Sequence, residues 1–146
     1  MDTSLIGSVP IREDLDVFEA RWMVRRGATQ IGFATRDAGE LMLVTSELAT
    51  NILKFAPPGW IDAERIVSAE QGAGIRIIAR DIGAPVDLER IVARSVQIGV
   101  AMEWTGRGLG GGLGAVFRFS DALRCEPCKT GKQIVAERYL RRPRRR

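Results

Sequence analysis

The 146-residue chain contains no histidine. This absence excludes Ser-His-Asp and Cys-His catalysis, the His-Arg-Asp loop of eukaryotic-type protein kinases, and phosphorylation of the chain on a histidine of its own. The chain also lacks any run of about eighteen apolar residues, so we expect no membrane-spanning helix. Its first ten residues do not combine a basic start with an apolar stretch. We therefore expect no secretory signal and a cytoplasmic location.

Cysteine is scarce, since Cys125 and Cys128 are the two in the chain, spaced as C-x-x-C. This spacing occurs in redox sites and in half of a zinc site. Zinc usually takes about four ligands, and the chain offers neither a histidine nor a second cysteine pair to supply them. No thioredoxin-like strand-then-helix pattern follows the pair. We interpret both cysteines as small apolar residues near a strand.

Positive charge is concentrated at the end of the sequence. Five arginines lie in residues 141–146, and the net charge of +4 becomes −1 when these five are removed. Such a tail could contact nucleic acid, an acidic partner or a membrane surface, but a frayed, solvated terminus is the simpler interpretation. The length fits one domain, so we predict a domain over residues 1–140 and a basic tail over 141–146.

The periodicity of apolar residues predicts helices first and strands later. One helix is predicted over residues 14–32, with Asp14 or Asp16 as its cap, and a second over residues 37–56, ended by Pro57 and Pro58. Strands over residues 65–70 and 75–80 flank a hairpin signal at residues 71–74. The later predicted elements are helices over residues 87–98 and 115–123 and strands over residues 124–126 and 133–140.

This order of elements predicts the fold class. It favours an α/β (α+β) two-layer sandwich in which a mixed, largely antiparallel sheet is covered on one face by helices. A glycine-rich segment would lie between two of the later helices.

A first group of polar residues lies on the second predicted helix. With about 100° per residue, Glu47, Asn51 and Lys54 share one stripe that borders the apolar face. The amide oxygen of Asn51 suits Mg²⁺, Lys54 can neutralise phosphate, and Glu47 can accept a proton from an attacking hydroxyl. An exposed polar stripe is the alternative interpretation and is favoured when the motif is taken alone.

A second group ends the strand over residues 75–80. Asp81 continues the apolar face of this strand, so its carboxylate needs a hydrogen-bond donor, and the exocyclic amine of adenine is one such donor. Gly83 would let the backbone turn and approach a ligand. A common strand-to-turn Asp-x-Gly is the alternative interpretation.

A third group is the glycine-rich segment 106–114, in which six of nine residues are glycine. Backbone amides that are free of side chains and precede a helix can bind anions, and this interpretation is favoured over a plain flexible linker. The residues that we expect to contact phosphate are Gly106, Gly108, Leu109, Gly110 and Gly112.

Taken together and in this order, the three groups resemble the GHKL (Bergerat-fold) ATPase family, in particular its RsbT- and RsbW-like anti-sigma and switch serine/threonine kinases. The segment from Glu47 to Asn51 resembles the N box of that family. Asp81-x-Gly83 resembles its first glycine box, and residues 106–114 resemble its second. The resemblance covers residues 9–139. Two positions depart from the family pattern, because Pro85 replaces a glycine and Lys132 follows Gly131 where a threonine is usual.

The resemblance implies an ATP site with Asp81 at adenine, Asn51 on Mg²⁺, Glu47 as catalytic base and residues 86–107 as the ATP lid. Thr130 is the candidate to replace the missing adenine-binding threonine. The implied substrate is a serine or threonine of a STAS-domain antagonist or scaffold protein. A sigma factor, a PP2C-type phosphatase and a second copy of the chain are further candidate partners, whereas membrane and nucleic acid are not expected to be partners. The alternative is a nucleotide-gated module that sequesters a sigma factor or activates a phosphatase with little kinase activity.

Overall fold

The computed structural model describes residues 1–55, 58–83 and 112–141, with residues 55, 112 and 115 described in their backbone only. The predicted helix over residues 87–98 and most of the glycine-rich segment lie outside these residues. In chain order, the described elements are β1 (Asp2–Ile11), α1 (Asp14–Ile31), α2 (Thr35–Phe55), β2 (Gly59–Ser68), β3 (Gly72–Asp81), α3 (Gly112–Phe119), β4 (Ala122–Cys128) and β5 (Gly131–Tyr139).

The strands form one sheet in the order β1-β2-β3-β5-β4, and each neighbouring pair is antiparallel. One face of the sheet packs against the helices, and the core lies between the two layers. The predicted two-layer sandwich with a largely antiparallel sheet is confirmed. Within the described part of the chain, no helix is long and apolar enough to cross a membrane.

Strand β1 is an element that the sequence patterns did not predict. Its first residues are exposed, and Val9 and Ile11 near its end are buried in the core. It is an edge strand, which explains why Pro10 is tolerated. Close packing fixes it against α1, because a Cβ at Gly7 would lie 2.7 Å from the sulfur of Met23.

Helix α1 matches its predicted range, but its cap differs from the prediction. Glu13 is the N-cap residue, and Asp14 and Asp16 lie within the first turn. The carboxylate of Asp16 accepts hydrogen bonds from the backbone N–H groups of Arg12 and Glu13, at 2.8 and 3.0 Å. Asp16 therefore satisfies donors that precede the helix rather than serving as the cap itself.

Two predicted boundaries were wrong. The strand predicted from residue 65 begins six residues earlier, as β2 (Gly59–Ser68). The helix predicted over residues 115–123 is α3, which begins at Gly112 and ends at Phe119, and the chain then enters β4 at Ala122. The backbone N–H of Asp121 donates to Glu137 O at 2.7 Å, and its carboxylate accepts from Tyr139 N at 2.8 Å. These long-range bonds pull the chain into the sheet where local periodicity predicted a helix.

Candidate functional site

The polar stripe of α2 lies at the edge of the buried helix face. Glu47 and Asn51 are half-buried and Lys54 is exposed. The neighbouring apolar residues of the helix are buried: Leu41, Val44, Leu48 and Ile52. An amide and a carboxylate at the margin of a core can contact a ligand while their backbone is held by packing on the inner side. The oxygen donors of this stripe fit Mg²⁺, which prefers oxygen ligands and shares its coordination shell with phosphate.

The end of β3 brings a second group to the same end of the sandwich. Gly59 of β2, Asp81 of β3 and Lys132 of β5 lie at one level of the sheet. The side chain of Ile52, the residue after Asn51, covers Gly59 so closely that a Cβ there would lie 2.6 Å from its Cγ2. Helix α2 therefore packs through Ile52 on the end of the sheet that carries Asp81, and Asn51 is the preceding residue of that helix.

Asp81 is 5% exposed and continues the buried face formed by Ile77 and Ala79, as the strand pattern predicted. Its Oδ1 accepts a hydrogen bond from the backbone N–H of Gly83 at 2.8 Å. The same oxygen accepts one from Lys132 Nζ at 2.7 Å. Gly83 therefore closes a short turn onto the carboxylate and fixes its orientation at the end of the strand.

Lys132 is a site residue that the sequence patterns did not assign. It is 9% exposed and forms a buried ion pair with Asp81. The signal that could have identified it is its position directly after Gly131, where the resembling family has a threonine. Neither element alone reveals the pair, because the two residues are 51 positions apart and meet through sheet register.

The start of β5 is held against the end of β3 at Gly131. A Cβ at this glycine would lie 2.5 Å from the carbonyl oxygen of Asp81 and 2.7 Å from the Cα of Ile82. No residue with a side chain fits this approach. Gly131 therefore fixes where the backbone of Lys132 lies relative to Asp81.

Thr130 lies in the exposed turn that precedes Gly131. Its hydroxyl lies 3.3 Å from the sulfur of Cys128. The cross-strand neighbour of Asp81 is Lys132, whereas Thr130 is outside the paired strands. The structure therefore brings Lys132, and not Thr130, to the carboxylate that the resemblance assigns to adenine.

The cysteine pair lies on β4, and both thiols are free. Cys125 packs partly against the core. Burial acts to raise the pKa of the Cys128 thiol, but hydrogen bonds from Thr130 and Gly131 and the positive charge of Arg80 together outweigh it, and the pKa lies below its ordinary value. The described residues contain no group of three or more residues suited to hold a metal through histidine, cysteine or carboxylate ligands.

The opposite face of the sheet carries polar side chains that span the strands next to the site. Arg80, the residue before Asp81, forms an ion pair with Asp62 of β2 and donates to the side chain of Gln133 in β5. Gln133 in turn donates to Glu126 of β4. Since these bonds link four neighbouring residues across β2, β3, β5 and β4, they hold the strand ends in register beneath Asp81 and Lys132.

The remaining predicted phosphate contacts lie mostly beyond the described residues. Gly106, Gly108, Leu109 and Gly110 fall in the gap between residues 83 and 112. Gly112 is the first residue of α3, so the helix begins inside the predicted glycine-rich segment. Helix α3 packs on α2, with Leu113 and Val116 buried. The glycine segment therefore leads into a helix that contacts the one bearing Glu47 and Asn51.

Comparison with known proteins finds a relative that aligns with most of the chain. The serine/threonine-protein kinase RsbT of Bacillus subtilis (strain 168) is 32% identical to the chain over 136 residues, which cover 91% of the chain and 96% of that protein. No family model matches. Because the alignment spans nearly the whole of both proteins, it includes α2, the end of β3 and the turn before β5.

Proposed function

The chain belongs to the GHKL family as a relative of the serine/threonine-protein kinase RsbT, and from this membership we propose that it transfers the terminal phosphoryl group of Mg-ATP to a serine or threonine of a STAS-domain partner. The observation that carries the proposal is the meeting of α2 with the end of β3. Asn51 lies beside Ile52, which covers Gly59, and Gly59 is the strand neighbour of Asp81.

Each residue of this site has a distinct role in the proposed reaction. Asp81 would accept a hydrogen bond from the amine of adenine, and its fixed carboxylate orients the base. The amide oxygen of Asn51 would hold Mg²⁺, which neutralises phosphate charge when bound. Lys54 is exposed at the end of the stripe, where its ammonium can attract the phosphates. In phosphoryl transfer, positioning and charge neutralisation of this kind supply most of the catalysis.

Glu47 is the proposed catalytic base. It lies one helical turn before Asn51, about 6 Å along the axis, and it is half-buried at the edge of the core. A carboxylate there can accept the proton of a substrate hydroxyl, and Asn51 would hold the Mg²⁺ that neutralises the phosphate. Glu47 has no need to contact the nucleotide before the reaction, so its removal is expected to slow transfer and to spare binding.

The test is single-turnover phosphoryl transfer from labelled ATP to purified STAS-domain proteins, measured beside affinity titrations. We expect Glu47→Gln to keep ATP and partner affinity near wild type and to slow transfer by about 10²–10⁴-fold, the usual cost of losing a general base. Glu19→Gln, at an exposed carboxylate of α1, is the matched control and should transfer at the wild-type rate.

Two results would change the proposal. Equal transfer rates for Glu47→Gln and wild type would remove Glu47 from the mechanism. Binding of ATP and of a partner by wild type without any transfer would instead support the alternative, a nucleotide-gated module that sequesters a sigma factor or activates a phosphatase.

A further inference from the structure

Helix α1 carries an apolar stripe on the side opposite the core. Leu15, Phe18 and Trp22 are 70%, 53% and 48% exposed, and they follow one another at spacings of three and four residues. At about 100° per residue, these three residues lie within about 60° of one another around the helix and form the α1 stripe. The buried residues Ala20 and Val24 lie on the other side. The helix therefore buries one face in the core and exposes a second apolar face.

The α1 stripe and its neighbours have the composition of an interface centre. The guanidinium carbon of Arg21 lies 5.7 Å from the centroid of the Phe18 ring. The guanidinium carbon of Arg25 lies 5.1 Å from the centroid of the Trp22 ring. Aromatic residues and arginine are enriched at the centres of protein–protein interfaces. A single exposed apolar side chain is ordinary on a protein surface, whereas a contiguous group indicates a binding surface.

The charges beside the α1 stripe change sign along the helix. Asp14 and Glu19 lie toward its N-terminal end, Arg25 and Arg26 lie toward its C-terminal end, and all four are exposed. By helical geometry, Asp14 and Arg25 lie on one flank of the stripe, and Glu19 and Arg26 lie on the other. A partner that fits this surface must therefore be basic at one end and acidic at the other, which disfavours a partner of uniform charge.

A second copy of the chain meets this requirement when the two α1 helices run antiparallel about a two-fold axis. In such a pair the acidic end of each helix lies beside the basic end of the other, and each flank of one helix meets the same flank of the other. An axis at the level of residue 20 places Phe18 of each copy opposite Trp22 of the other. The aromatic rings then lie at the centre of the contact, where hot-spot residues are usually found. A parallel pair would instead bring like charges together.

The flanking charges agree with this alignment. Asp14 of each copy lies one residue from the level of Arg25 of the other, on the same flank. Glu19 lies about 7.5 Å along the axis from the level of Arg26, a distance that an arginine side chain can span because it leans toward the N-terminus of its helix. The charge complementarity therefore includes both flanks and occurs twice in a symmetric dimer.

We propose that the α1 stripe is the contact surface of a symmetric homodimer in which the two α1 helices pack antiparallel. This inference does not depend on the proposed nucleotide site, since none of the residues assigned to that site belongs to α1. Stable protein interfaces bury about 1,200–2,000 Å² in total, and a contact of one helix face from each subunit falls at the lower end. We therefore expect a reversible dimer with a dissociation constant of about 1–100 µM.

Sedimentation velocity of the full chain at about 1–200 µM measures the association. We expect wild type to pass from monomer to dimer over this range and Trp22→Gln to associate at least about tenfold more weakly, because hot-spot residues carry most of the binding free energy. Leu5→Gln is the matched control, since Leu5 is an exposed apolar residue of the edge strand β1 and lies outside the α1 stripe. This control should associate like wild type.

A charge exchange tests the antiparallel arrangement itself. Arg25→Glu/Arg26→Glu makes these four flanking positions acidic, and Asp14→Lys/Glu19→Lys makes them basic. We expect each variant alone to associate at least about tenfold more weakly than wild type, because like charges then meet. An equimolar mixture should associate like wild type, because every acidic position then meets a basic one. Circular dichroism establishes that both variants are folded.

Three results would overturn the homodimer. The first is wild type that stays monomeric at the highest concentration, and the second is a dimer whose dissociation constant is unchanged in Trp22→Gln. The third is a charge-exchanged mixture that associates no better than either variant alone. Monomeric wild type that loses binding to a STAS-domain protein on Trp22→Gln would assign the α1 stripe to that partner instead. ATP binding and phosphoryl transfer test the proposed function separately, and monomeric protein that performs both would leave it intact.

Discussion

Single residues fix the backbone where the proposed base site lies, and Gly131 is one of them. Its φ is 155°, and the position of a Cβ falls 2.5 Å from the carbonyl oxygen of Asp81. The obstructing atoms belong to backbone, so they cannot rotate away as a flexible side chain would. The strands β3 and β5 can approach each other here only because residue 131 is glycine.

Replacing Gly131 by alanine should therefore destabilise the fold. We expect Gly131→Ala to lower the free energy of unfolding by about 1–3 kcal/mol, since the added methyl group forces the backbone apart. Gly39→Ala is the matched control: Gly39 lies in α2 with no atom within 4 Å of the added Cβ, so alanine should raise stability by about 0.5–1 kcal/mol. Urea unfolding of both variants measures the effect, and equal stability for the two would contradict the proposed packing.

Cys128 provides a test of the turn beside Gly131. The pKa of its thiol is lowered even though burial acts to raise it, because hydrogen bonds from Thr130 and Gly131 and the charge of Arg80 favour the thiolate. A lowered pKa means that the reactive thiolate persists to lower pH. In a Cys125→Ala background, we expect Thr130→Val to shift the midpoint of the alkylation rate to higher pH. Alkylation with iodoacetamide between pH 6 and 10 measures this midpoint, and the same midpoint with and without the hydroxyl would argue against the bond.

Among the elements, α2 and β5 are joined by a buried cation. Arg138 of β5 is 2% exposed, and its Nη2 lies 2.8 Å from Asp37 and 3.4 Å from Glu40, both at the start of α2. Since the carboxylates are partly exposed and the guanidinium is not, the arginine depends on them for compensation of its charge. This link orients the helix that carries Glu47 and Asn51 across the sheet that carries Asp81.

Removing the two carboxylates should leave a buried charge without compensation. We expect Asp37→Asn/Glu40→Gln to lower the free energy of unfolding by about 3 kcal/mol. Glu19→Gln/Glu70→Gln removes two exposed carboxylates and should change the free energy of unfolding by less than about 0.5 kcal/mol. Thermal and denaturant unfolding compare the variants. A double variant as stable as wild type would show that Arg138 does not depend on this pair.

The elements also show what the sequence could predict. The two long helices and the hairpin of β2 and β3 were predicted because their apolar periodicity and turn residues are local. Strand β1 was missed because it is an edge strand with four exposed residues at its start and a proline near its end. The early start of β2 was missed because Asp62 and Glu64 are poor strand formers, and their partners Arg80 and Arg76 lie in β3.

Local spacing in the sequence also predicted part of the candidate site, whereas one residue depended on contacts between strands. Helical spacing alone places Glu47 and Asn51 on one stripe, and strand alternation alone places Asp81 on the buried face. Lys132 could not be assigned in this way, because its contact with Asp81 depends on the register between β3 and β5. Sequence order therefore located the helix and strand groups, and only the sheet showed which residue of the turn region meets the carboxylate.

Considered as a whole, the molecule is arranged so that its two layers meet at the proposed nucleotide site. The helix layer supplies Glu47 and Asn51, and the sheet layer supplies Asp81 and Lys132. Helix α3 packs on α2 and begins at Gly112, inside the glycine-rich segment. A ligand that contacts both layers would stabilise the folded chain, and the gain in free energy of unfolding would grow with the logarithm of its concentration over its dissociation constant.

Binding of Mg-ATP at this junction can be measured by titration calorimetry of ATP with and without Mg²⁺. We expect wild type to bind ATP in a Mg²⁺-dependent manner and Asn51→Ala to bind at least about tenfold more weakly, a loss of about 1.4 kcal/mol. Gln30→Ala, which removes an exposed amide from α1, should bind like wild type. Wild-type protein that is folded and shows no binding of ATP at millimolar concentration would refute a nucleotide site at this junction.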